Sequence, residues 1–331
     1  MKQIALTPLQ LPTTRQEDWR YTDVSKLVGR YRPAIAEFQL TKQPRGVQLV
    51  NKVLTVAAGT KLQEPLVLTL PNLGANTLVR PKLKVRIGAG ALVNLHERYN
   101  ASGAHNGLIW PQIDFELDPL AQLSHIIEAA SVARLITIHT AFLAEQTLLK
   151  SWLVSSGSAL ARHEYHVRLA GKGANADLRG LLLATQNHQV GCHTSVEHCS
   201  AATQSRQLYR AVVAGQASAI THSKVFVRHG ATQATSEQLL KTLLLDSTAK
   251  GFARPELHVA NHQVHCSHGA ATGQLNPQVL FYLKSRGLTP HQAQRLLLRA
   301  FVLADAAANP YAQELIEGAL DRILDRILNQ P

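Results

Sequence analysis

The run Leu83-Lys84-Val85-Arg86-Ile87, closed by Gly88-Ala89-Gly90-Ala91, carries the pattern on which most of the chain is built. Apolar and charged residues alternate, which is the period of a strand with one face buried and the other in water. Small residues suited to a tight turn follow. Tyr165-His166-Val167-Arg168-Leu169 precedes Gly171-Lys172-Gly173-Ala174 in the same order, and Asp118-Pro119-Leu120-Ala121, Gly157-Ser158-Ala159 and Gly215-Gln216-Ala217-Ser218 mark further turns. Most are followed by another alternating run. From Val47 to about Val264 the chain therefore reads as a degenerate repeat of strand, turn and strand. A parallel β-solenoid fits, since each coil buries its inward residues by stacking on its neighbours. A two-sheet sandwich of short strands fits as well, and without a strict period the spacing does not separate the two.

Outside this stretch the periodicity is helical. Asn276-Pro277 reads as an N-cap with proline at the first helical position, and Gly287 stands where that helix would end. Thr289-Pro290 starts a second helix through Leu296, Leu297 and Phe301. Ile316, Leu320, Ile323, Leu324, Ile327 and Leu328 form the apolar stripe of a third. At the other end, Thr13-Thr14-Arg15-Gln16-Glu17 is compatible with a capping box, and Pro33, Pro44 and Gly46 mark a boundary. Three segments are expected: a short helical segment over 1–45, a β core over 46–270 and a helical domain over 271–331.

With 45% hydrophobic but only 5% aromatic residues, the core of this 331-residue chain must be aliphatic. Three cysteines at irregular spacing, Cys192, Cys199 and Cys266, make no disulfide framework and fit a reducing compartment. The first residues lack a secretory apolar run and no later run approaches a membrane span, so a cytoplasmic location is expected. A net charge of +12 admits nucleic acid or another polyanion as a partner. The basic residues are scattered and no nucleic-acid motif accompanies them, so solubility or an acidic partner is the preferred explanation.

Cys266 and His268 are the first candidates for chemistry. Two residues apart on one strand, they point to the same face, and a thiol beside an imidazole suits zinc, copper or an iron-sulfur species. Two ligands are too few for a metal, so the remainder would come from another subunit. His258, His262 and His265 lie close by in sequence. A second group, His188, Cys192, His193, His198 and Cys199, matches no zinc-binding spacing, and neighbouring residues on a strand face opposite ways. A structural role is preferred there. No Walker A loop, dinucleotide fingerprint, Gly-x-Ser-x-Gly elbow or His-Glu-x-x-His helix occurs, which argues against a nucleotide site and against an autonomous enzyme.

Several motifs, taken in order, resemble the SufB/SufD family of iron-sulfur cluster assembly proteins, and its SufD branch in particular. They are Glu17-Asp18-Trp19-Arg20-Tyr21-Thr22, the stretches Gly171 to Gly180 and Val196 to Arg210, Gln238, Leu243-Leu244-Leu245, Arg254-Pro255-Glu256-Leu257, Cys266-Ser267-His268-Gly269-Ala270 and Leu280 to Gly287. The resemblance implies a right-handed parallel β-helix flanked by helical modules, which resolves the tie between solenoid and sandwich. It implies a non-catalytic scaffold subunit that pairs with a SufB-like paralogue through the β-helix and engages a SufC-like ABC ATPase through the C-terminal helices. Phe281, Tyr282, Lys284 and Arg286 are the candidates for the ATPase interface. A transient iron-sulfur cluster at the partner interface would draw on His268, with Cys266 beside it. A homodimer of the isolated chain through the same face is compatible with this reading. The chain departs from the family at Asn261-His262, where acids are common, in lacking a glycine after Phe226, and in its short stretch before Trp19. The alternative from another class is a basic β-solenoid that binds nucleic acid or another polyanion.

Overall fold

A computed structural model describes residues 15–20, 22–24, 31–71, 74–100, 107–130, 134–304 and 310–328. The chain is mainly β and forms a solenoid of about 7 turns. Successive long strands alternate between two sheets, and each pairs in parallel with the strand one coil on. One sheet runs through Gln112–Leu117, Arg134–Leu143, Leu160–Leu169, Gln189–His198, Ser218–Val227 and Lys250–Val259. The facing sheet runs through Leu92–Asn100, Gln122–Ala130, Leu148–Ser156, Asn175–Ala184, Gln204–Val213, Thr235–Leu244 and His265–Gly273. Stacked partners such as His125 and Ser151 are 26 residues apart, whereas Lys224 pairs with Glu256 over a longer coil. Coils of unequal length explain why the sequence shows a repeat but no fixed period.

The turns show why small residues recur. Gly59, Gly90, Leu120, Gln146, Gly173, Ala202 and Gln233 stack along one corner, all with φ between 52° and 70°. Each donates its backbone N–H to a carbonyl on the following coil, as Gly90 does to Pro119 at 3.0 Å and Leu120 to Glu145 at 2.9 Å. In all but the first of these turns the next residue is fully buried at the inside of the corner, as at Ala91, Ala121, Ala174 and Ala234. Glycine adopts the left-handed backbone without strain, and elsewhere in the column this hydrogen bond to the next coil accompanies it.

One aliphatic core fills the lumen between the sheets from Ala36 to Ala249. Two smaller clusters lie on the outer faces. Three α-helices occur among the described residues: α1 (Pro277–Ser285), α2 (Pro290–Leu303) and α3 (Pro310–Leu328). Asn276 caps α1 by accepting from Gln278 N–H, and Thr289 with Gln292 forms a capping box on α2. Leu298 and Val302 of α2 with Ile316, Ala319 and Leu320 of α3 cover Ile126, Trp152, Val154, Leu181 and Val212 on the second sheet.

The described residues before 46 differ from the expected helices. They hold one short 3-10 turn, Glu17–Trp19, and the strands Arg32–Ala34 and Gln39–Leu40. Both strands add to the solenoid sheets. A segment without a core of its own takes the conformation that the sheet margin offers. The Thr13-Thr14 start signal lies outside the described residues.

Candidate functional site

The last coil is open. Lys250–Val259 and His265–Gly273 end their sheets, each paired on one side only among the described residues. His265 donates its N–H to Ala234. Backbone groups in a strand alternate sides, so the N–H groups of Cys266, His268, Ala270 and Thr272 face the open edge. On the other sheet, Lys250 donates to Ala217 and Ala260 to Val227. The same alternation turns position 255 outward, where Pro255 has no N–H to offer, as is usual for proline on an edge strand.

Cys266 and His268 share a face, as their spacing implied. Cys266 pairs with Ser236 and His268 with Gln238, and both of those partners are buried in the lumen. Cys266 is half-buried against Val225, Val227, Ala231 and Ala234. Burial raises its thiol pKa, only partly offset by a backbone hydrogen bond from Ser236, so the thiol is protonated at neutral pH. His268 is exposed. No third His, Cys, Asp or Glu of the described residues converges on this pair. Of the neighbouring histidines, His258 stacks flat on Phe226 with ring centroids 4.8 Å apart, and His262 and His265 are exposed. Behind the strand, α1 presents Phe281 and Tyr282 at 70% and 54% exposure, with the Arg286 guanidinium 5.2 Å from the Tyr282 ring centre and Lys284 exposed in the last turn.

Strand alternation splits the second histidine and cysteine group. Cys192 is buried among core residues, and burial pushes its thiol up to about 12. His198 is bonded to Thr203 Oγ1 at 2.9 Å and Ser205 Oγ at 2.8 Å, and burial lowers it to about 4. His193 belongs to a different network, 2.8 Å from Arg162. These side chains do not converge on a metal-sized volume.

That network explains the N-terminal motif. Arg162, 1% exposed, donates to Glu164 Oε1 at 2.7 Å, and its guanidinium lies 3.8 Å from the Trp19 ring centre. Thr22 accepts a longer bond from it at 3.5 Å, Trp19 also packs near Trp110, and Glu17 pairs with Arg254. Glu17, Trp19 and Thr22 thus form a clasp that ties the N-terminal segment across the first sheet.

The structure assembles one further cluster that sequence reasoning missed. Glu97, His125 and His139 lie on three strands from both sheets, at 0%, 0% and 1% exposure, with ligand atoms all within 4.8 Å of one another. His125 Nε2 is 2.8 Å from Glu97 Oε1, and His139 Nε2 is 3.0 Å from Oε2. Burial alone would raise the Glu97 carboxyl, but the charges and hydrogen bonds of His139 and His125 outweigh it and hold it well below the usual carboxylate range. Only the coil register joins residues so far apart in sequence. The one available signal is a Glu and two His at positions that read as inward in alternating runs.

Fold and site together define a β-solenoid with a thiol and an imidazole on one face of an open terminal coil. Residues 71–301 match the family model described as the SufBD core domain of the SUF system for FeS cluster assembly, and the chain belongs to that family. A Mycobacterium tuberculosis iron-sulfur cluster assembly SufBD family protein is 27% identical over 82% of this chain and 71% of its own length. SufD of Escherichia coli is 28% identical over 56% of this chain and 43% of its own, and SufD of Bacillus subtilis is 28% identical over 53% and 38%. The chain is a SufD-like member of the SufB/SufD family, and membership places it in iron-sulfur cluster assembly. Among the described residues no helix is long and apolar enough to cross a membrane.

Proposed function

We propose that the chain is a non-catalytic scaffold subunit that builds and transfers nascent iron-sulfur clusters together with a SufB-like paralogue and a SufC-like ATPase. The observation that carries this reading is the pairing of an open last coil with an incomplete ligand set. Edge N–H groups at Cys266, His268, Ala270 and Thr272 are a template for strand addition. A second solenoid abutting this edge would continue the stack and bring its own ligands to Cys266 and His268. The cluster is cargo, held transiently between the chains. His268, exposed, is the better placed ligand; Cys266 needs a partner cation or metal to lose its proton. The ATPase docks on the apolar tip of α1, through Phe281 and Tyr282 with Lys284 and Arg286 at its rim. The SUF-type assembly is cytoplasmic in this reading.

Coexpression with the SufB-like and SufC-like proteins of the same organism tests it. A three-chain complex is expected, with anaerobic iron-sulfur reconstitution lost in His268→Ala while the complex persists. Three chains that elute separately at low salt would sink the proposal. Binding of the lone chain to DNA or RNA that weakens steeply with salt would instead favour the polyanion reading.

A further inference from the structure

The Glu97 cluster is unlike its equivalents on the other coils, which supply an internal control. The positions stacked above Glu97 are Ile127, Leu153, Gly180, Tyr209, Leu240 and Ala270. Those beside His139 are Ile113, Tyr165, Thr194 and Ser223. The lumen therefore takes apolar or neutral side chains at these places when packing decides. A carboxylate and two imidazoles at one level are costly by comparison, since a buried ion-pair group is generally no more stable than well-packed apolar side chains.

The arrangement has the features of a prepared cation site. Donors are two imidazole nitrogens and a carboxylate, the set that holds zinc or ferrous iron with positions left for water. Supporting groups orient them. Tyr99 donates its hydroxyl to Glu97 Oε2 at 2.8 Å, and His125 Nδ1 lies 3.2 Å from Tyr165 Oη and 3.4 Å from Ser151 Oγ. With a cation on Nε2, the His125 ring proton sits on Nδ1 and meets the Tyr165 oxygen, the outer support usual for a metal-bound histidine. Phe115, whose ring centre is 5.0 Å from that of His125, walls one side.

We propose that Glu97, His125 and His139 form an intramolecular site for one divalent first-row transition ion, zinc or ferrous iron, inside the solenoid. The site is separate from the Cys266 and His268 edge and needs no partner chain. Its enclosure means that the ion enters as the coils close, so loading is tested by refolding.

The full chain is unfolded with chelator and refolded anaerobically with one equivalent of zinc, ferrous iron or cobalt(II), then desalted and assayed for bound metal. About one ion per chain and a raised Tm are expected, with the zinc and iron arms deciding which is held better. Glu97→Gln and His139→Gln should retain at least about tenfold less metal with unchanged far-UV circular dichroism, while His268→Ala should retain it all. Failure of the wild-type chain to hold metal, or equal retention by both variants, overturns the site. If the variants do not fold, the cobalt spectrum of the wild-type chain decides. Bands of nitrogen and oxygen ligands support the proposal, and a thiolate charge-transfer band places the ion on a cysteine and refutes it. None of these readouts involves the partner proteins, so this result and that of the coexpression test are independent.

Discussion

A guanidinium at 1% exposure sits where Trp19, Thr22, Glu164 and His193 meet and contacts all four. Burial by itself would raise the Glu164 carboxyl, yet the hydrogen bond from His166 and the Arg162 charge keep it below its usual value. Removing Arg162 leaves Glu164 buried with its guanidinium partner gone. Arg162→Ala should therefore lower stability by about 3–5 kcal/mol and open the segment around Trp19 to protease. Arg162→Lys should rescue little, since an ammonium cannot stack on Trp19 while reaching both Glu164 and His193. Denaturant titration and limited proteolysis read both effects, and a loss under about 1 kcal/mol with protection intact would contradict the clasp. Histidines in the lumen set a second expectation. Burial lowers His163 to about 3 and His198 to about 4. In the unfolded chain both titrate near 6.5, so below that pH the unfolded state gains protons that the folded state refuses. Stability should fall as pH drops from 6.5, by about 2–3 kcal/mol for each histidine at pH 4.5, and the loss for each is complete once its folded pKa is passed. Urea midpoints at pH 7.5 and 4.5 should converge for a His163→Gln, His198→Gln double variant relative to wild type. An unchanged pH dependence would show that other groups carry it.

At the scale of the element, two glycines in the turns separate steric from conformational need. A Cβ on Gly171 would lie 2.1 Å from Glu145 N and 2.3 Å from Ala144 C, both backbone atoms of the coil beneath. Gly59 has a φ of +69° but open space around it. Gly171→Ala should cost about 3 kcal/mol, because neither coil is free to move away. Gly59→Ala should cost about 1 kcal/mol, the left-handed strain alone. Thermal unfolding of the two variants checks the ranking, and equal losses would mean that the coils are not in rigid contact. The same elements show what could be read in advance. Strand alternation, small-residue turns and the caps at Asn276 and Thr289 are local, and the structure repeats them closely. The Cys266 and His268 pair shares a face for the same local reason. Relations across coils were not legible. Loops of varying length set the register, so nothing in the sequence brings Glu97 to His125 and His139, or Trp19 to Arg162. Of the short helical segment expected before residue 46, the described residues hold a 3-10 turn and two strands, which the sheets they join have shaped.

For the molecule as a whole, the two ends of the solenoid sheets decide what it can assemble with. Pro255 blunts the edge of one sheet, so strand addition falls chiefly to His265–Gly273 on the other. Two neighbouring alanines on that strand make the test. By the alternation fixed at His265, the N–H of Ala270 faces the open edge, whereas that of Ala271 belongs to the ladder with Thr235–Leu244. Both side chains are exposed, so proline at either site meets little crowding. Ala270→Pro should leave the Tm of the isolated chain within a few degrees and abolish docking of the SufB-like partner. Ala271→Pro should do the reverse in part, removing one ladder bond at a cost of about 1 kcal/mol while the outward N–H groups remain. Differential scanning calorimetry and gel filtration of the mixed chains separate the two outcomes. Partner binding that survives Ala270→Pro would mean that docking uses side chains and not the strand edge, and Cys266 and His268 would then have to reach the cluster across a looser interface.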